Sequence, residues 1–168
     1  LSLRFRNLLA RRYEQLAELD EHIAFYTKEL ELLSQQDEAC QRLQTIPGFG
    51  PIVASAFRST IGNGSAYTRG RHAAASLGLV PRQYSSGGNT LLLGISKRGD
   101  RYLRKLLVHG ARTVVRHAID REDPFSRWIN RVSERRGKNR AAVAVANKLA
   151  RVGWAVLRYN TQYDPTLT

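Results

Sequence analysis

Leu9, Leu16, Ile23 and Leu30 recur every seven residues near the start of the chain. Phe5, Leu19, Tyr26 and Leu33 fill the second seam position, and only Arg12 breaks it. A heptad sustained this way predicts one long helix over residues 1 to about 36 with a coiled-coil seam. Two arrangements satisfy such a seam: pairing with another helix, or folding back onto the chain's own domain. The pattern then changes. Ile46-Pro47-Gly48-Phe49-Gly50-Pro51 leads into an apolar run ending at Ile61. This reads as helix, tight glycine turn and helix, with Pro51 in the first turn of the second helix.

A further helical stretch is predicted from about Thr68 to Leu77, stopped by Gly78 and Pro81. Residues 82–98 carry few helix signals. Ser85-Ser86-Gly87-Gly88-Asn89 reads as a flexible turn, and Thr90 to Ile95 as a short strand or an ordered loop. Asp100 is a plausible N-cap for a helix from Arg101 to about Ile119. Asp123-Pro124 forms the cap and first position of the next, to about Arg135, and Gly137 ends it. The last helix runs from about Asn139 to Tyr159, with Val143, Ala146, Leu149, Ala150, Val152, Trp154 and Leu157 on a broad apolar face. No internal repeat is visible. The expected fold is all-α: a coiled-coil connecting helix over residues 1–40, then a helical domain over 41–168. That domain contains a helix-hairpin-helix and a short glycine-rich loop or strand insertion.

Charge changes the picture because it is unevenly placed. The 168 residues hold 27 Lys and Arg against 14 Asp and Glu, a net charge of +13. Residues 1–44 are net acidic, so the whole surplus lies beyond the first helix. A surplus of this size points to a polyanionic partner, with the first helix left for joining or pairing. Between Glu38 and Asp100 there is no Asp or Glu at all. Carboxylates repel a polyanion, so this stretch suits a nucleic-acid face; it also cannot assemble a Mg²⁺ pair. The histidines His22, His72, His109 and His117 show no metal-ligand spacing, so no metal site is expected in the chain. The one cysteine, Cys40, rules out an internal disulfide framework and reads as a small buried hydrophobe. No apolar run approaches membrane-spanning length, so no membrane partner is expected. The absence of methionine suggests a piece of a longer protein.

Two loops are candidates for chemistry. Gly48 and Gly50 let backbone amides approach a ligand, and the helix that follows adds partial positive charge, so this turn can grip a phosphate. The bland alternative is a plain helix-to-helix turn. Ser85-Ser86-Gly87-Gly88 presents serines in a loop, where a hydroxyl is exposed for nucleophilic attack. Alone that is a weak signal. Ser96, Lys97, Arg98, Arg101, Arg104 and Lys105 follow, and the last three share one helix face. A cationic cradle beside a serine suits attack on a phosphodiester, where charge builds on the phosphoryl oxygens. A solvated basic face touching only backbone phosphates is the alternative.

Three motifs in order carry a family resemblance: Ile46-Pro47-Gly48-Phe49-Gly50; Gly78-Leu79-Val80-Pro81-Arg82-Gln83-Tyr84-Ser85-Ser86-Gly87; and Ile95-Ser96-Lys97-Arg98-Gly99 with Tyr102-Leu103-Arg104. Over roughly residues 40–160 the chain resembles the C-terminal transposase domain of an insertion-sequence family that includes the pilin-gene invertases and resembles RNA-guided bridge recombinases. The first helix resembles that family's connecting coiled coil. The resemblance implies a bacterial, cytoplasmic DNA recombinase, nucleoid-associated when bound to DNA. Ser86 would be the nucleophile, forming a phosphoserine link to DNA. Gly48, Gly50, Arg82, Lys97, Arg98, Arg101, Arg104 and Lys105 would hold nucleic acid. It also implies a guide RNA, self-association through the coiled coil, and a RuvC-like domain outside this chain that holds Mg²⁺. This chain alone would then be inactive.

Two other function classes remain at this stage. One is a non-catalytic helix-hairpin-helix module that only holds nucleic acid and dimerises. The other is a dimerising scaffold built on residues 5–33. Covalent trapping on DNA separates the enzyme from both, and salt-sensitive binding separates the first two from the scaffold.

Overall fold

The computed structural model describes residues 2–165. Helix α1 spans Leu3–Gln36, opened by the Ser2 hydroxyl, which accepts from the Phe5 amide. Its 34 residues make a rod about 50 Å long at the α-helical rise. Asp37 ends it with extended backbone, and its carboxylate accepts from the Ala39 amide at 2.7 Å to start α2, Glu38–Gln44. One residue thus ends one helix and caps the next, and an ion pair to Arg58 at 3.6 Å ties the corner to the body. Along α1 only Ser34 is buried. The rod touches α2 and α3 through its last turns and leaves the rest of itself in solvent. The fold-back arrangement is therefore not adopted: Leu9, Leu16, Ile23 and Leu30 are all exposed.

The body is a helical bundle around its last helix. Helix α3, Pro51–Ile61, starts with Gly50 as N-cap and Pro51 at its first position. Helix α4 is Gly70–Ser76. Helix α5, Arg101–His117, is capped by Asp100, which accepts from the Leu103 amide at 2.9 Å. Helix α6, Pro124–Arg136, is capped by Asp123, which accepts from the Ser126 amide at 2.9 Å. Helix α7, Lys138–Tyr159, ends at left-handed Asn160 and packs against α2, α3, α4, α5 and α6. Its apolar face meets Leu43, Phe57, Leu103, Leu107 and Ile129 in one core. Phe49 and Phe57 meet edge to face at 5.3 Å, and Gly153 of α7 leaves the room they occupy. Cys40 lies in this core as expected; burial, followed by the nearby Asp37 charge, pushes its thiol pKa up.

The fold is mostly helical but not strictly all-α. Pro81–Ser86 and Asn89–Ile95 form strands β1 and β2, an antiparallel hairpin. The expected flexible turn over residues 85–89 contracts to Gly87-Gly88, both at positive φ, the backbone that a two-residue hairpin turn demands. The second strand lies where a strand or ordered loop was expected; the first was not foreseen. Every residue of β1 is exposed, and so is β2 up to Ile95.

Candidate nucleic-acid interface

The expected order of helix, glycine turn and helix is present, but its two glycines do different things. Gly48 has φ +84°, and a Cβ there would lie 2.9 Å from the Gly110 carbonyl oxygen and from the Val114 side chain. A Cβ on Gly110 would in turn lie 2.2 Å from the Gly48 oxygen. The pair lets two backbones touch, so Gly48 is a packing joint between the turn and α5. Gly50 is different: it is exposed, and open space lies where its Cβ would be. The α3 amide end behind it has no side-chain cap. Glu31 of α1 lines the same hollow, and its negative charge works against a phosphate there.

Ser86 is the last residue of β1, facing Asn89 across the glycine turn. Strand alternation sets it on the face shared by Tyr84 and Leu91, opposite Ser85. The Ser85 hydroxyl accepts from the Gln83 amide group at 2.8 Å. Among the described residues nothing hydrogen-bonds to the Ser86 hydroxyl, which stands open at the tip. Ser86 lies five residues beyond Pro81, about 16 Å of extended strand from the hairpin root.

The root is rigidly held. The Ser96 amide donates to the Val80 carbonyl at 2.8 Å, and the Lys97 amide to the Gly78 carbonyl at 3.1 Å. Gly78 and Gly99 make this approach possible, since a Cβ would lie 2.2 Å from the Arg98 oxygen at Gly78 and 1.7 Å from the Ser76 oxygen at Gly99. Lys97 adopts left-handed backbone with φ +56°, a conformation that costs energy away from glycine. Lys97 and Arg98 are thus presented on a fixed loop, both exposed.

Arg82, Arg101 and Lys105 are exposed as well. Arg104 is not a free cation: its guanidinium donates to the Leu77 carbonyl at 3.0 Å and clamps the end of α4 to α5. Its place in the basic face is structural first. Asp100 caps α5 at the edge of this face.

The structure adds cations that the motifs did not mark. Arg136 at the end of α6 and Arg140 at the start of α7 line an open groove with Arg82 and Lys97 of the hairpin root. The run Arg135-Arg136-Gly137-Lys138-Asn139-Arg140 was the available signal: dense basic residues around a helix break. A second basic hollow gathers Arg69, Arg71, Lys148 and Arg151. There the Lys148 ammonium lies 4.8 Å from the Trp128 ring centre, and burial, followed by Arg151, pushes its pKa down. Among the described residues no three His, Cys, Asp or Glu side chains come together. Nor is any helix long and apolar enough to cross a membrane, among the described residues.

Residues 40–126, just over half of the chain, match the model of the family described as Transposase IS116/IS110/IS902. The chain is 44% identical over 163 residues to the transposase for insertion sequence element IS1111A of Coxiella burnetii, covering 97% of this chain and 45% of that protein. It is 46% identical over 158 residues to a probable family 20 transposase of Pseudomonas aeruginosa, covering 94% and 47%. It is 30% identical over 126 residues to the pilin gene-inverting protein of Moraxella lacunata, covering 73% and 38%. The chain spans less than half the length of each of these relatives.

Proposed function

Because the chain belongs to the IS116/IS110/IS902 transposase family, we propose that it is the serine-carrying part of a DNA recombinase, with Ser86 as nucleophile. The observation that carries this is the Ser86 hydroxyl, open at the tip of a glycine-turned hairpin that stands out from a basic body. In the step we assign, the Ser86 oxygen attacks a backbone phosphorus of DNA. One phosphorus–oxygen bond of the strand breaks as the oxygen–phosphorus bond to serine forms. The serine proton leaves to a base, and the released strand end becomes a hydroxyl. Attack by a hydroxyl of another strand reverses the exchange on a new partner. Each step trades one phosphoester for another, so no nucleotide hydrolysis is required.

A serine hydroxyl needs activation, and among the described residues no base hydrogen-bonds to the Ser86 hydroxyl. We assign the activating group to a separate RuvC-like domain that binds Mg²⁺, and pairing of α1 with a second copy as the link that joins the parts. A guide RNA that base-pairs with donor and target would choose the sites. A non-catalytic nucleic-acid-binding module is the competing reading, and the lack of a base hydrogen-bonded to the Ser86 hydroxyl among the described residues is the observation on its side.

Recombination by the full-length protein separates the two. Ser86→Ala should abolish strand exchange with DNA binding nearly intact, because one hydroxyl adds little to affinity built on many phosphates. Ser85→Ala should be far milder. Full exchange by Ser86→Ala would leave the binding module standing; loss only in Ser85→Ala would move the nucleophile by one residue.

A further inference from the structure

One wall of the groove at the hairpin root, with Pro81, Arg82, Ile95, Ser96 and Lys97, belongs to the motifs that carry the family resemblance; the opposite wall, with Arg136, Asn139 and Arg140, lies outside them. The groove has a volume of about 980 Å³ and is open to solvent. Its cations come from three separate places in the chain: Arg82 on β1, Lys97 on the pinned loop, and Arg136 and Arg140 on either side of the α6–α7 break. No carboxylate lines it. Among the described residues, none of these four side chains has an ion pair or a hydrogen bond. Arg42 and Arg58, by contrast, are ion-paired to Glu38 and Asp37.

Four like charges around one hollow repel one another, and the arrangement is unfavourable until counter-charge enters. The backbone nonetheless holds them there. Lys97 sits at φ +56° on a loop fixed by Gly78 and Gly99, and α7 follows Gly137 as its N-cap, with no side-chain cap over its first amides. Asn139 adds a donor and an acceptor on the same wall. Leu92 and Leu93 of β2 line the other side as exposed apolar surface. Phosphates want the cations, and sugars or unstacked bases suit the leucines.

We infer that this groove is a binding channel for the phosphodiester backbone of a single nucleic-acid strand, held by Arg82, Lys97, Arg136 and Arg140. The inference rests on the nucleic-acid reading of the chain but not on Ser86 being a nucleophile. A strand in this channel lies at the foot of the hairpin whose tip carries Ser86. The groove therefore supplies a second anchor for nucleic acid, apart from the Arg101 and Lys105 face of α5. DNA and RNA share the backbone chemistry that the groove recognises.

The test is salt-dependent binding of labelled single-stranded DNA and of RNA of the same sequence. Arg136→Gln/Arg140→Gln is compared with Arg4→Gln/Arg6→Gln, which removes the same charge from α1. The groove pair should flatten the log–log salt slope by about 1.4, from about 0.7 per lost single-strand phosphate contact, while the α1 pair leaves it unchanged. A slope change on only one of the two probes identifies that strand as the occupant. Equal losses from both pairs, or no change from the groove pair, would overturn the channel. If the double variant fails to fold, Lys97→Gln, on a different element, should lose about 0.7, and an unchanged slope would overturn the channel equally. In the full-length protein, Ser86→Ala separates the two claims. Loss of the covalent adduct in Ser86→Ala with an unchanged slope supports the nucleophile and leaves the channel untouched; an adduct retained in Ser86→Ala overturns the nucleophile alone, and an unchanged slope in the groove variants overturns the channel alone.

Discussion

The body from α2 to α7 and the two elements that leave it, α1 and the hairpin, use apolar residues in opposite ways. In the body, Leu43, Phe57, Leu103 and Ile129 are fully buried against α7. On α1, Leu16, Ile23 and Tyr26 are more than half exposed, and on the hairpin Tyr84, Leu91 and Leu92 are as well. The body therefore satisfies its own hydrophobic surface, whereas α1 and the hairpin do not. A two-stranded hairpin on its own is marginal in water, and a lone heptad seam leaves apolar area wet. The difference teaches where function is to be sought. The bundle is self-contained, and the two projecting elements leave apolar surface in solvent, which is where the proposed partners are to be sought.

The sharpest test of that division is the bundle core. Phe57→Ala should cost about 3–5 kcal/mol, because it empties a fully buried site against Phe49 and Gly153. Denaturant unfolding measures it, and a loss under about 1 kcal/mol would mean that the body is not held by this core. The hairpin root comes next. Gly99→Ala forces a side chain onto φ +101° and against the Ser76 carbonyl. A loss of about 1–3 kcal/mol is expected; none would show that the root shifts freely.

The caps give a smaller and pH-dependent effect. Asp123→Ala should cost about 1 kcal/mol through loss of the α6 cap. Its pKa is held below the ordinary 3.8 first by the Ser126 side chain, then by the Ser126 and Phe125 amides, against a small opposing effect of burial. A depressed folded pKa means that this stability is present above pH 3.8 and is lost as pH falls through the folded value. Melts of the protein and of the Ala variant should therefore converge in acid. A gap that widens below that pH would contradict the cap.

The smallest stability effect belongs to α1. Ile23→Lys/Leu30→Lys should shift unfolding of the body by no more than about 0.5 kcal/mol, since neither side chain is buried. Sedimentation should nonetheless show weaker self-association. A monomer before and after the change would take α1 out of pairing.

Much of this division was legible in the sequence where local chemistry decides it. Asp100, Asp123, Gly137 and Pro51 mark helix ends with side chains or backbone that act within a few residues, and the structure puts helix boundaries there. The heptads announced α1 and favoured pairing over fold-back without deciding between them, because periodicity says which face is apolar and not what meets it. Strand β1 escaped notice because Arg82-Gln83-Tyr84-Ser85-Ser86 has no apolar alternation. Its evidence is the pairing with β2 and the double glycine between them. The roles of Gly48 and Arg104 were beyond reach for a different reason. Each is set by a partner far along the chain, Gly110 for one and Leu77 for the other. The groove joins residues 82 and 140 through tertiary structure alone.

The central claim is that the open serine at the hairpin tip is the atom that joins DNA. It is tested most directly by trapping the full-length protein on a nicked substrate, digesting the adduct with protease, and locating the nucleotide-bearing residue by mass spectrometry. The account predicts the phosphodiester mass on Ser86, with none on Ser85. An adduct on any other residue, or strand exchange with no protein-linked DNA at any time point, would contradict it.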